Sequence, residues 1–562
     1  MSVAQRATRP AWRLTPMGAG AMLAAALAAL PLVSVGILAL GDSGDTWQHL
    51  IANVLPTSLM TTLTLVLGVG LATAATGTGC AWLVSRYSFP GRDVLHWLVV
   101  LPLAIPTYVA AYCYVELLDY TGPVQSAIRL VGGFQSRPEY FFPEIRSLPG
   151  AILVMSLVLY PYVYLTTRLM FSMQGATTIE TARVLGASGS RQFLSIAVPL
   201  ARPAMIAGSA LAMMEALNDI GAVEILGVRT LTFSIFDTWL NRSSLAGAAQ
   251  IACILLVLVA LLIVIERRAR GARQYHTRGG TMLHAQRIRL TGWKSVAATI
   301  ICILPPAAGF IAPIILLASY AARRFGQIAE PDLWAAFANS IAVSVATAAV
   351  TVVVALFLVS AQRMEQSRAS AIGTRIAALG YAAPGSVLAL GALYAFSGLD
   401  NLVDAFLREH FSISSGLLIS GSMAIIIYAC SVRFMAIAQG AIESGYSRLS
   451  PHLPMAARTL GRTRFGAAFG VELPLLRTTL ATAGLLVFVD TMKELSATIL
   501  LRPFNFQTLA TFVYERASRA LFEDAALAAL MIVIMGIVPV VMLSRTLQTS
   551  RASSRLTARI SD

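Results

Sequence analysis

Two stretches of the sequence, 275 residues apart, decide how the chain is organised. The first reads Glu-Thr-Ala-Arg-Val-Leu-Gly at 180–186 and continues as Ile-Ala-Val-Pro-Leu at 196–200. The second reads Met-Ala-Ala-Arg-Thr-Leu-Gly at 455–461 and continues as Val-Glu-Leu-Pro-Leu at 471–475. The register holds without a gap from 180 to 219 and from 455 to 494. Self-similarity at a fixed offset predicts an internal structural repeat.

Each stretch predicts a short helix, a turn and a second helix. The alanine-rich segments favour a helix. Gly186 and Gly461 can end the first helix, because glycine adopts backbone conformations that other residues avoid. Pro199 and Pro474 fit near the start of the second helix, since the missing N–H has no helical partner there. The predicted unit is a knob between two long apolar segments.

Long apolar blocks dominate the rest of the chain. Of its 562 residues, 57% are hydrophobic and 12% are charged, against about 25% charged in soluble proteins. A helix needs about 20 apolar residues to cross a bilayer. Twelve blocks meet this length, and they begin near 17, 57, 94, 148, 202 and 247, then near 296, 335, 372, 417, 477 and 524. The predicted fold class is an all-α integral membrane protein, with about 12 transmembrane helices in two parallel six-helix repeats.

The placement of arginine predicts the orientation of these spans. Loops on one side all contain Arg, at 86–92, 183–191, 267–294, 363–375, 458–464 and in the tail from 545. Acidic residues mark the other side, although Arg323 and Arg324 also fall there. Cytoplasmic loops are enriched in Lys and Arg, so both termini are expected in the cytoplasm of a bacterial inner membrane. The net charge of +15 is spread over these loops, and we expect a lipid bilayer as partner and no nucleic acid.

Both repeated stretches resemble the EAA loop of the permease subunits of ATP-binding-cassette (ABC) importers. The second copy departs from the family pattern, because Met455 stands where the family has Glu. The residues that the resemblance assigns to coupling with an ATPase are Glu180, Ala182, Arg183, Gly186, Pro199, Ala456, Ala457, Arg458, Gly461 and Pro474. The resemblance implies a type I ABC importer-like transmembrane fold, two copies of an ABC ATPase subunit and a periplasmic substrate-binding protein.

The same resemblance divides the chain into two lobes. Residues 1–265 form the first permease lobe, with its EAA-like loop at 176–203. Residues 266–295 form a basic cytoplasmic linker. Residues 296–562 form the second lobe, with its loop at 451–478.

The chain lacks a phosphate-binding motif of its own. GxxxxGK[ST] needs a lysine after a glycine, whereas the only two lysines, Lys294 and Lys493, follow Trp293 and Met492. None of the five cysteines forms a CxxC pair, so no stable metal site is expected. We therefore expect no catalytic residue and no cofactor in this chain, and ATP hydrolysis in a separate one.

Charged residues interrupt the fifth and eleventh spans. They are Glu215 and Asp219 in the first half, and Asp490, Lys493 and Glu494 in the second. Ionisable groups in apolar spans are costly and mark either a pathway or an ion pair. The sequence leaves two interpretations open: these residues line a translocation pathway, or Lys493 neutralises Asp490 or Glu494 within one helix.

The cargo is indicated by resemblance. The segment 490–518, together with 218–224, 233–236 and 248–250, is similar to fused permeases of ferric-iron importers, which implies Fe³⁺ as cargo. A carboxylate-bearing pathway suits a hard cation that prefers oxygen ligands. Permeases for thiamine, polyamine, sulfate and aminoethylphosphonate share much of the pattern and remain alternatives. A secondary transporter driven by an ion gradient is the alternative of another class, since it too can have twelve spans in two repeats.

Overall fold

The computed structural model describes residues 15–173, 181–271, 287–365, 367–450 and 452–539, and these residues are mostly helical. Within these described residues, eleven helices are long and apolar enough to cross a membrane, and a pair bent by 96° makes a twelfth. We number them as spans 1 to 12. They are Pro16–Ala39, Asp45–Arg86, the bent pair Arg92–Ala104 and Thr107–Gly132, Leu148–Phe171, Gly189–Asn218, Leu245–Arg268, Trp293–Arg323, Pro331–Glu365, Gly385–Phe411, Met423–Arg448, Arg464–Met492 and Phe522–Pro539.

The shorter elements lie between these spans. The helices are Ile220–Ile225, Leu231–Leu240, Arg368–Ala377, His452–Thr459, Thr498–Leu501 and Leu509–Ser518. Two short strands, Tyr87–Ser88 and Ile288–Arg289, pair in parallel. This pairing fastens the end of the predicted linker beside the end of span 2, while linker residues 272–286 lie outside the described residues.

The all-α membrane fold predicted from the sequence is confirmed, with the larger differences at four spans. The spans expected near 57, 202 and 477 begin earlier, at Asp45, Gly189 and Arg464. The span expected near 372 begins later, because the chain breaks at Pro384 and the long helix starts at Gly385. A similar break at Pro106 bends span 3.

Proline explains why spans 5 and 11 begin before the positions predicted from the sequence. A proline inside a helix lacks its N–H, and its ring collides with the carbonyl four residues before it. In the described chain, Pro56, Pro199, Pro313 and Pro474 each follow the end of a π-helical segment by two residues. The wider π turn accommodates the ring. The helix therefore continues through Pro199 and Pro474 instead of starting at them.

Two compact units make up the fold, and each draws on both halves of the sequence. One contains 1–43, 245–253 and 335–508; the other contains 44–244, 254–334 and 509–562. These packing units differ from the contiguous lobes expected at 1–265 and 296–562. The difference arises because the first span of each half packs with helices of the other half. Span 1 belongs to the unit that contains 335–508, and span 7 belongs to the unit that contains 44–244.

In the first unit, glycines let span 1 approach its neighbours closely. A Cβ atom on Gly391 would lie 1.9 Å from the Pro31 carbonyl oxygen, and one on Gly373 would lie 2.6 Å from that of Ala21. Small residues at such crossings allow the backbones of membrane helices to pack. The Tyr428 hydroxyl adds a 2.6 Å hydrogen bond to the Leu27 carbonyl oxygen.

In the second unit, span 7 takes the corresponding position. A Cβ atom on Gly309 would lie 2.2 Å from the Leu157 carbonyl oxygen. The Tyr114 hydroxyl donates to the Ala308 carbonyl oxygen at 2.9 Å. The Tyr320 hydroxyl donates to Glu116 Oε1 at 2.6 Å. Hydrogen bonds as well as close packing therefore hold the exchanged span.

The two arginines that departed from the predicted charge pattern are neutralised in the structure. Arg323 pairs with Glu523 at 3.4 Å, and Arg324 pairs with Glu523 and Asp524 at 3.5 and 3.4 Å. The acidic residues stand at the start of span 12, which packs in the same unit. These ion pairs offset the positive charge at this end of span 7.

Replacing Gly391 with Val should destabilise the protein, because the side chain would collide with the backbone of span 1. We expect a loss of about 3 kcal/mol, the upper part of the range for overpacked cores. Gly398→Val, on the same helix with nothing within 4 Å of the added Cβ, is the matched control and carries the same change in helix propensity. Thermal unfolding of the two purified variants in detergent measures the difference, and equal midpoints would contradict the packing.

Candidate functional site

The first repeated stretch forms a tightly bonded turn. A helical turn at 181–184 ends at Gly186, whose φ is +82°. The Ala187 N–H donates to the Ala182 carbonyl oxygen and the Gly186 N–H to that of Arg183, both at 3.0 Å. This pair of bonds is the Schellman motif, which closes a helix with a left-handed residue. A side chain at Gly186 would strain the backbone.

The second repeated stretch has the same turn. Gly461 has a φ of +84°. The Arg462 N–H donates to the Ala457 carbonyl oxygen at 3.1 Å, and the Gly461 N–H to that of Arg458 at 3.0 Å. Each bond is the counterpart of one in the first stretch at the offset of 275. The sequence repeat is therefore also a repeat of hydrogen-bond geometry.

Each turn leads directly into a capped helix. The Ser188 hydroxyl accepts a hydrogen bond from the Arg191 N–H at 3.4 Å, and the Thr463 hydroxyl accepts one from the Gly466 N–H at 3.0 Å. Ser and Thr favour this N-cap position because the hydroxyl satisfies an otherwise unpaired N–H. The turns are thereby joined to spans 5 and 11, which begin at Gly189 and Arg464.

Both turns present apolar side chains to solvent. Leu185 and Leu460, which occupy equivalent positions, are 81% and 85% exposed. An added Cβ on Gly186 or Gly461 would meet nothing within 4 Å. Large exposed apolar side chains at the tip of a rigid turn are typical of protein-binding surfaces. We call residues 181–191 and 456–466 the first and second coupling loops.

The predicted coupling residues have different exposures. Arg183 and Arg458 are exposed, as are Ala456 and Pro474; Ala182 and Pro199 are half-buried, and Ala457 is buried. Glu180 lies outside the described residues. Among the predicted coupling residues, Arg183 and Arg458 are therefore the charged side chains that are exposed to solvent at equivalent positions of the two loops.

Asp219, the acidic residue at the end of span 5, accepts a hydrogen bond from the backbone. Asp219 is buried, and its Oδ1 accepts a hydrogen bond from the Ala222 N–H at 2.9 Å. It caps the short helix Ile220–Ile225. Its Oδ2 accepts a hydrogen bond from the Thr107 hydroxyl, at the point where span 3 resumes after its bend. Asp219 thus connects the end of span 5 with the residue at which span 3 resumes.

Glu494 takes the same position in the second half. Its Oε1 accepts a hydrogen bond from the Ala497 N–H at 2.9 Å, and Ala497 lies 275 residues after Ala222. Its Oε2 lies 2.6 Å from Arg433 Nη1, in an ion pair whose side chains are both buried. A Cβ on Gly385, where span 9 begins, would lie 2.5 Å from Arg433 Nη1. The missing side chain at Gly385 leaves room for the ion pair.

The five predicted pathway residues therefore fall into two groups. Asp219 and Glu494 hold the ends of broken helices, whereas Glu215, Asp490 and Lys493 are half-buried. Glu494 pairs with Arg433 of span 10, a partner on another helix that neither of the two interpretations includes.

Sequence reasoning missed three partners. Arg433 lies within an apolar span, and this signal alone could have identified it. Thr107 has no such signal, because its role depends on the bend of span 3. Tyr514 donates a hydrogen bond to Glu224, and burial raises the pKa of this carboxyl. The two residues are 290 positions apart, and no local pattern predicts their contact.

Comparisons with known proteins agree with this architecture. Residues 73–270 match the family described as binding-protein-dependent transport system inner membrane component. The Fe(3+)-transport system permease protein FbpB 2 of Haemophilus influenzae is 27% identical over 493 residues, which cover 87% of this chain and 89% of that protein. The molybdenum transport system permease protein ModB of Escherichia coli is 27% identical over 236 residues, 41% of this chain and 95% of ModB. The sulfate transport system permease protein CysW of Escherichia coli is 32% identical over 157 residues, 28% of this chain and 51% of CysW.

Residues 73–270 thus carry a domain of this family of inner-membrane transport components. The chain is a permease subunit of a binding-protein-dependent ABC importer, with two lobes fused in one polypeptide. ModB aligns along nearly its whole length with less than half of this chain, whereas FbpB 2 aligns along both halves. The predicted family is thereby confirmed.

Removing one partner of the buried ion pair should be costly. Arg433→Met leaves the Glu494 carboxylate buried without its cation, which typically costs about 3–5 kcal/mol. Arg433→Met/Glu494→Gln should recover part of this loss, because glutamine is neutral and keeps an acceptor for the Ala497 N–H. Arg408→Met, which breaks an exposed pair with Asp404, should cost less than about 1 kcal/mol. Unfolding free energies in detergent test this order, and equal losses for the two single variants would refute it.

Proposed function

We propose that this chain forms the membrane pathway of a ferric-iron importer. The observation that supports this cargo is the similarity to FbpB 2, which extends over 87% of the chain. The matches to the sulfate and molybdenum permeases cover 28% and 41% of it. The chain lies in the inner membrane with both termini in the cytoplasm, an orientation supported by its arginine-containing loops.

ATP hydrolysis takes place in two copies of a separate ATPase subunit, one at each coupling loop. The matching hydrogen bonds of the two turns and the exposed Leu185 and Leu460 support two equivalent docking points. Each loop continues into a membrane span without a break in the helix. The continuous helices therefore transmit movement of the ATPase subunits to the membrane spans. No covalent chemistry occurs in this chain.

A periplasmic binding protein delivers the cargo to the outer loops, at about 119–147 and 399–415. Hydrogen bonds preshape these loops. Asp404 accepts hydrogen bonds from the N–H groups of Ser415 and Gly416, at 2.8 and 3.0 Å. The Ser136 hydroxyl donates to Glu139 at 2.6 Å, and this bond lowers the pKa of the Glu139 carboxyl. A loop that is already ordered loses less entropy on binding.

Along the pathway, we assign the half-buried carboxylates of Glu215 and Asp490 to the cargo. Asp219 and Glu494 are engaged with backbone N–H groups and their side-chain partners. A hard cation prefers such oxygen ligands, and weak binding lets it leave again. Lys493 stands beside this path and keeps the local negative charge small.

Bulky residues at the two turns should uncouple ATP hydrolysis from uptake. Gly186→Val/Gly461→Val forces β-branched residues into a left-handed conformation that costs about 1–2 kcal/mol each. We expect ATP-driven uptake in proteoliposomes to fall by roughly tenfold or more, because about 1.4 kcal/mol corresponds to tenfold. Gly186→Asn/Gly461→Asn should retain uptake, since Asn tolerates this conformation.

Gly79→Val, in span 2 with open space around the added Cβ, controls for the effect of a larger side chain. Unchanged ATP-driven uptake by the Val double variant, present in the membrane at the wild-type level, would refute the role of the loops.

Neutralising these two half-buried carboxylates should slow the passage of cations. For Glu215→Gln/Asp490→Asn we expect Fe³⁺ uptake to fall by roughly tenfold, equivalent to about 1.4 kcal/mol in the barrier. Glu330→Gln/Asp332→Asn removes the same charge from exposed positions at the start of span 8 and should leave uptake unchanged. Uptake of sulfate and molybdate by the wild-type protein is measured in parallel. Transport of these anions in place of Fe³⁺ would overturn the proposed cargo.

A further inference from the structure

The second coupling loop borders a cleft that contains three arginines. Its volume is about 550 Å³, and its lining residues are Met455, Arg458, Thr459, Arg462, Thr463 and Arg464. No acidic residue occurs between 452 and 466. The cleft therefore concentrates positive charge at the surface of the turn.

The three guanidinium groups are available to a ligand. Arg458, Arg462 and Arg464 are exposed, and none of them forms an ion pair within the described part of the chain. Arg464 Nη1 lies 3.4 Å from the Met364 carbonyl oxygen, and this long hydrogen bond is to a neutral group. Clustered like charges repel one another, so binding of an anionic group would relieve an unfavourable local interaction.

The first coupling loop has a different charge at the equivalent positions. Ala187 stands where the second loop has Arg462, and Gly189 stands where it has Arg464. The first stretch also begins with Glu180, which Met455 replaces in the second. The first loop keeps Arg183, equivalent to Arg458, and has Arg191 where the second has Gly466. The backbone turn is shared, whereas the positions of the charges around it differ.

We infer that the cleft at the second coupling loop binds an acidic segment of the ATPase subunit that docks there. The inference rests on the proposed function, in which each loop docks an ATPase. Guanidinium groups form bidentate hydrogen bonds with carboxylates. Leu460 and Met455, 85% and 60% exposed, add an apolar surface beside the charges. Such a combination of Arg, Met and large apolar side chains is typical of protein interfaces. The second coupling loop thus docks through three arginines, two of which, Arg462 and Arg464, have no equivalent in the first loop.

The test gives the second loop the side chains of the first. Affinity of the purified full-length permease for its ATPase subunit is measured in detergent, at low and at high salt. For Arg462→Ala/Arg464→Gly we expect affinity at low salt to fall about tenfold and to depend less on salt than in the wild type, because interfacial charge pairs are screened. Arg462→Lys/Arg464→Lys should retain much of the affinity. Arg267→Ala/Arg375→Ala, which removes two exposed arginines elsewhere, should match the wild type.

Wild-type affinity and salt dependence in Arg462→Ala/Arg464→Gly would overturn the inference while leaving the proposed function intact. The same conclusion follows if this variant binds the ATPase normally in detergent but loses affinity for vesicles that contain phosphatidylglycerol, since the cleft would then bind lipid headgroups. Failure of the wild-type permease to bind the ATPase at all would instead refute the proposed function.

Discussion

Inside a bilayer, a broken helix exposes backbone N–H and C=O groups to a medium that offers them no hydrogen bonds. Each break in a span therefore needs a partner from the protein itself. Asp219 supplies one acceptor where span 5 ends, and Glu494 supplies another at the equivalent point of span 11. Both carboxylates then need a donor of their own, which is the Thr107 hydroxyl in one case and Arg433 in the other. The positions of these four side chains follow from the places where the spans break.

The same constraint keeps the helices between the breaks continuous. At Pro199 and Pro474 the helix widens into a π turn instead of ending, so few backbone groups lose their partners. Span 5 consequently runs for 30 residues, from Gly189 to Asn218, a length of about 45 Å. It begins at the first coupling loop and ends at Asp219. One rigid element thus connects the proposed docking point of the ATPase with the break that Asp219 caps.

The sequence predicted the features that depend on local pattern. Twelve spans, the repeat and the left-handed turns at Gly186 and Gly461 follow from apolar block length, offset and glycine. The exchange of the first spans could not be predicted, because contacts such as Gly391 with Pro31 depend on which helices meet. Asp219 and Glu494 were interpreted as pathway residues, since a charge in an apolar span indicates either a pathway or a partner. The bend of span 3 at Pro106 places Thr107 beside Asp219, whereas Arg433 reaches Glu494 from span 10 in the space that Gly385 leaves.

The two halves use different donors for their capping carboxylates. Val158 and Arg433 lie at the same position of spans 4 and 10, which begin 275 residues apart. The first half satisfies its capping carboxylate with a neutral hydroxyl, and the second half uses a cation and a glycine that makes room for it. Fusion of the two lobes in one chain lets each half diverge without losing its partner.

The proposed function depends most on an energy source outside this chain. The direct measurement is Fe³⁺ uptake into proteoliposomes that contain the permease and are supplied in turn with the ATPase subunit, ATP and the binding protein, with and without an imposed proton or sodium gradient. The proposed function predicts uptake that requires the ATPase subunit and ATP and does not change with the gradient. Uptake driven by the gradient alone, without ATP, would contradict it and identify a secondary transporter.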